Sequence, residues 1–194
     1  MGRSRTGGRR PAAPPAPRDP LAPRSSEGRL SPAPSLAAAT VPRVWQGIGY
    51  RPLPDAAAAH PLFDFAAVPR PGGRVHLAWG AYAATGAGER LVGAVLAEGA
   101  GTTILLHGPV VAAEDDPLEV AAQLVAAALD HATALGAETV WSRPLGLDRV
   151  WVRFGFIPVP EGTLPAELAG RVGVGLYAWR GGSALWSLRG SASG

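Results

Sequence analysis

The side chains able to move a proton are few and scattered. His107 stands in LLHGPV, Glu98 ends the preceding apolar run RLVGAVLAEG, and His76 lies in the run before that. A histidine titrates near pH 6.5, so His107 placed beside a substrate could take a proton from an amine. The structural alternative is a hydrogen-bonded strand histidine. Glu98 is a second candidate base, and Tyr82 and Tyr177 are phenols available as acids. Other chemistries lack their residues. The chain has no Cys, so thiol catalysis, disulfides and Cys-ligated metals are excluded. Four dispersed His residues show no ligand spacing, so no metal is expected. The Gly86–Gly88 and Gly99–Gly101 pairs precede strands rather than helices, which makes them hairpin turns, not phosphate cradles.

The order of elements around these residues is legible. Arg74–Ala84, Leu91–Ala97 and Thr102–Val111 read as three consecutive antiparallel strands. Trp45–Pro54 reads as one earlier strand, and Asp55–Ala66 as a short helical stretch broken by Pro61. Leu118, Ala121, Ala122, Val125, Ala128, Leu129, Ala132 and Leu135 recur at helical spacing, giving a long amphipathic helix. Asp116 is placed to cap it, Pro117 to open it, and Gly136 to stop it. Because a crossover helix joins parallel neighbours, Thr139–Ser142 is expected to return parallel to Thr102–Val111. Leu147–Phe154 follows as a short helix with Trp151 on its buried face. Phe156–Pro158 and Arg171–Gly182 are expected to pair antiparallel. The predicted class is α/β (α+β), a mixed, mainly antiparallel twisted sheet with a central long helix and flanking short ones.

Between Arg90 and Pro160 this order, closing on RFGF, resembles the GNAT N-acetyltransferases. The resemblance implies an acyl-CoA-dependent N-acetyltransferase using acetyl-CoA and no metal, with a small-molecule or peptide amine as acceptor. It places the pantetheine arm along Leu106, His107, Gly108, Val110 and Val111, and the pyrophosphate at the helix start, Glu119, Val120 and Ala121. The family's loop, (Arg/Gln)-x-x-Gly-x-(Gly/Ala), falls here on Asp116, Glu119 and Ala121. Residues 112–122 contain no glycine and no basic side chain, but do contain Glu114, Asp115, Asp116 and Glu119. A helix N-terminus attracts anions, whereas four carboxylates oppose a diphosphate. The tyrosine that serves many GNATs as acid is replaced by Trp151, which cannot give up a proton near neutral pH. Two classes follow: an N-acetyltransferase with a degenerate cofactor site, or a non-catalytic member serving as a binding or dimerisation module, possibly as a homodimer.

All 18 basic residues are Arg, and seven lie within residues 1–40 against only Asp19 and Glu27. Residues 41–194 carry eleven Arg and thirteen carboxylates, so the basic character belongs to the leading segment. That Pro/Ala/Ser/Arg-rich stretch buries little and is expected to be disordered. Nucleic acid is an expected partner only through this tail. The domain is expected over residues 41–182, with residues 183–194 frayed. No apolar run reaches the ~18–20 residues that span a bilayer, and the expected location is the cytoplasm. An Arg/Ser-rich leader also fits an organellar transit peptide.

Overall fold

The computed structural model describes residues 35–168 and 185–189. The expected tail over residues 1–34, the expected strand Arg171–Gly182 and candidate Tyr177 lie outside these residues. Order begins earlier than Val41. Ser35 caps a one-turn helix α1 (Leu36–Ala39), and Ala39 is buried.

Eight strands form one sheet in the order β1-β2-β3-β4-β5-β6-β8-β7. The expected single strand over Trp45–Pro54 is instead a hairpin, β1 (Arg43–Trp45) and β2 (Ile48–Pro52). Its turn uses Gln46 and Gly47, both at positive φ, a pair suited to a two-residue hairpin. A 3-10 turn (Ala56–Ala59) and α2 (His60–Phe65) lead into β3 (Val75–Thr85), β4 (Gly88–Ala100) and β5 (Thr103–Val111). These three strands pair antiparallel as the sequence predicts. Helix α3 (Pro117–Ala134) crosses over, and β6 (Thr139–Ser142) pairs parallel with β5. Next come α4 (Asp148–Arg153), β7 (Ile157–Val159) and β8 (Leu185–Arg189).

β8 corrects the expected frayed end. Leu185–Arg189 inserts between β6 and β7, antiparallel to both. Leu185 and Trp186 are buried on opposite faces, a pattern hidden among the Ser and Gly residues around it. Among the described residues, no helix is long and apolar enough to cross a membrane.

The larger core lies between the sheet and α3 with α4, and holds Trp79, Leu106, Leu124, Val125, Trp151 and Phe156. The other face carries two smaller clusters, one around Phe63 and Leu96 beneath α2, one around Leu105, Trp141 and Leu185. Of the stripe expected on α3, Ala121, Ala122, Val125, Ala128 and Ala132 are buried, joined by Val120, Leu124 and Ala127. Leu118 and Leu135, at the helix ends, stay 47% and 44% exposed.

Candidate functional site

β5 outruns its parallel neighbour. Pairing with β6 ends at Leu106–Ser142, while β5 continues to Val111 and stays bonded to β4 through Val110–Ala94 and Val111–Gly93. The pairing shifts register at Ala94/Leu96, opposite the cis Gly108–Pro109 bond. Gly108 is needed here. Its φ is +87°, and a Cβ would lie 2.9 Å from Val110 N and 3.1 Å from Ala94 O. The edge of β5 released from β6 is thus shaped by residues 107–111.

A groove of about 310 Å³ opens beside this edge. Its walls are Ala66 and Val68 after α2, Pro109, Val110 and Val111 of β5, Pro117 and Leu118 of α3, and Leu145 and Leu147 before α4. Every lining residue is apolar, which suits an uncharged chain and offers nothing to an anion.

The helix start gives the anion little more. Pro117 has no N–H, and the Glu119 and Val120 amides both donate to the Asp116 carbonyl (3.0 and 3.1 Å). Leu118 keeps the remaining first-turn amide. Asp116 is not the cap that the sequence predicts. Its backbone is left-handed (φ 40°, ψ 57°), so its carbonyl faces the helix and its exposed carboxylate makes no capping bond. Glu119 accepts from Arg153 Nη1 (2.7 Å) and from Gln123 Nε2 (2.9 Å), and Arg153 chiefly holds its carboxyl below the usual range. Arg143, just past β6, is engaged by both Glu161 oxygens. Arg90 faces Glu114 at 3.8 Å. Each of these cations already meets a carboxylate.

The pantetheine half of coenzyme A therefore fits these residues and the pyrophosphate half does not. Val110 and Val111 line the groove. Leu106, Val120 and Ala121 are buried in the larger core, so only their backbones could serve a ligand.

The sheet does unite two of the proposed catalytic residues. Leu96 pairs with His107 and Glu98 with Leu105, so Glu98 and His107 are diagonal neighbours on the face away from α3. His107 Nε2 lies 3.2 Å from Glu98 Oε1, with the side chains 9% and 1% exposed. Glu98 Oε1 also accepts from the Gly72 amide at 2.7 Å, which ties the loop before β3 to the pair. Tyr82 is elsewhere, on β3 under the Arg51 guanidinium (3.8 Å). His76 is exposed, near the β4–β5 turn. His131 is not the surface residue its place beside Asp130 implies: Trp79 Nε1 donates to its Nδ1 at 3.1 Å. Trp151 is fully buried, edge-on to Phe156, with Nε1 donating to the Pro144 carbonyl (3.2 Å).

The sequence reading missed Arg153 and Tyr50. An i,i+4 signal could not reveal the Arg153–Glu119 pair because its partners lie on different helices. Tyr50, on β2, is 1% exposed with an unpartnered hydroxyl. Burial first, then Glu119 and Asp116, push its pKa up to about 12.

No family profile matches the chain, and no curated protein does. Solved structures do. N-acetylglutamate synthase from Neisseria gonorrhoeae, complexed with coenzyme A and N-acetylglutamate, aligns with TM-score 0.52 at 14% identity over 76% of this chain. The match spans only 35% of the synthase. A probable GNAT-family acetyltransferase from Chromobacterium violaceum aligns at TM-score 0.46 and 13% identity, covering 77% of this chain and 91% of that one. A GNAT-family acetyltransferase from Staphylococcus aureus aligns at 0.45 and 11%, covering 58% and 66%. The chain has a GNAT-like fold.

Proposed function

We propose that this protein is an acyl-CoA-dependent N-acyltransferase whose donor site grips pantetheine and thioester rather than pyrophosphate. One observation carries the reading: the apolar groove lies where β5 loses β6 and meets the start of α3. Acetyl-CoA, when bound, supplies an activated thioester carbonyl. The β5 edge over residues 107–111 offers strand-like backbone groups to the pantetheine amides, and Val110, Val111, Leu118 and Leu145 cover its methylenes. His107 takes the proton of the acceptor amine, and Glu98, 3.2 Å from its Nε2, stabilises the resulting imidazolium. The acidic loop, with Arg153 held by Glu119, makes the nucleotide end a weak anchor. The acceptor is an amine, small molecule or peptide.

The experiment is thiol release from acetyl-CoA or S-acetyl-pantetheine in the presence of a panel of amines, with His107→Gln as control. Amine-dependent release that falls at least about tenfold in the variant, within the usual range for a general base, supports the reading. No release with any amine contradicts it. That outcome favours the second reading, a non-catalytic GNAT-fold binding module. Trp151 supports that alternative, because it fills the acid's position with a buried indole already committed to Pro144.

A further inference from the structure

A second cavity, of about 250 Å³, lies on the α3 side of the sheet, away from the β5–β6 opening. Sheet register builds its floor: Trp45 pairs with Ile48 and Ile48 with Ala83, so their side chains form one apolar row. The loop after β5 supplies the other wall through Glu114, Asp115 and Asp116. Arg90 faces Glu114 at 3.8 Å, so two carboxylates remain without a facing cation in the cavity wall.

The second observation is Tyr50. It follows Ile48 by two residues on the same face of β2, and Ala81, its register partner, precedes Ala83 by two. The Tyr50 ring thus continues the floor toward the first turn of α3. Its hydroxyl is buried, has no partner, and lies close enough to Asp116 for that carboxylate to raise its pKa. A buried hydroxyl without a partner is costly to keep, and a ligand donor would satisfy it.

We propose that this cavity binds an aliphatic diamine, with its methylenes on the Trp45–Ile48–Ala83 row and its ammonium groups on Asp115, Asp116 and the Tyr50 hydroxyl. The apolar floor separates this ligand from a metal ion, which needs converging oxygen donors; among the described residues no such group of acids and histidines exists. The floor also separates it from mere surface screening, since the linker adds contact that a small ion lacks. The inference does not depend on acyl transfer.

The test is calorimetric titration of the full chain with diaminobutane, butylamine, and magnesium chloride at matched ionic strength. Diaminobutane should bind about tenfold tighter than butylamine, the scale of one added charge-assisted contact, and magnesium should not reproduce it. Tyr50→Phe should weaken diamine binding by a similar factor without lowering the melting temperature, because it removes only an unpartnered hydroxyl. Asp115→Asn should also weaken binding, and Glu138→Gln, beyond the far end of α3, should leave it unchanged. Absent binding, magnesium binding equal to the diamine's, or undiminished binding in Tyr50→Phe and Asp115→Asn overturns the proposal.

Discussion

Arg153 of α4 places its Nη1 2.7 Å from the Oε2 of Glu119 in the first turn of α3. The cation best placed to meet an anion at this helix start is thereby turned onto a carboxylate. Arg153 is 56% exposed and Glu119 21%, so the pair adds little stability, on the order of 1 kcal/mol or less. Glu119→Gln should therefore cost little in urea unfolding. It should also strengthen acetyl-CoA binding, because it removes one negative charge and releases Arg153. Unchanged or weaker binding in titration would show that the ion pair does not oppose the nucleotide.

Asp116→Gly makes a second test of the helix start. A conventional N-cap would lose about 1 kcal/mol on this change. Here the carboxylate makes no capping bond and the backbone is left-handed, a conformation that glycine adopts without strain. Stability should stay level or rise by up to about 1 kcal/mol. A loss of about 1 kcal/mol in denaturant melts would restore the capping role.

Trp151→Ala should destabilise the protein by roughly 3–5 kcal/mol, the range for a buried aromatic truncated to alanine. It empties the space against Phe156 and leaves the Pro144 carbonyl without its donor. Trp151→Tyr should be milder. If that variant gains acetyl transfer absent from the parent, the protein is an enzyme that has lost its acid. A near-neutral Trp151→Ala melt would contradict the packing.

His131 gives the pH dependence. Burial holds its pKa below the ordinary value, and its Nδ1 must be unprotonated to accept from Trp79. The unfolded chain protonates near pH 6.5, before the folded one does. This contribution is therefore fully present above about pH 6.5, shrinks as pH falls below that, and levels off below the folded pKa. Subtracting the profile of His131→Gln from that of the parent isolates it from the carboxylates. A difference independent of pH between 5 and 8, roughly the window of histidine titration, would refute the assignment.

Repetitive patterns made much of this fold readable. The 3.6-residue repeat of α3 and the glycine hairpins gave β3, β4 and β5 and the parallel return of β6. β8 escaped because five residues flanked by Ser and Gly carry too little pattern to stand out from a loose end. The β1–β2 hairpin escaped because Gln46-Gly47 interrupts what reads as one run. Asp116 followed the composition rule for caps, yet its backbone turned the other way, and no side-chain preference encodes that. Glu98 and His107 were legible as candidates. Their contact depends on the register of β4 against β5, including a bulge that residue types do not announce.

The central claim is that the donor site holds pantetheine without a pyrophosphate clamp. Parallel calorimetric titrations with acetyl-CoA and S-acetyl-pantetheine test it most directly. The two should bind within about threefold of each other, a difference under ~0.7 kcal/mol, with neither strengthened by lowering the salt. Acetyl-CoA binding tens of times tighter, with an advantage that grows at low ionic strength, would show a working anion clamp and contradict the account.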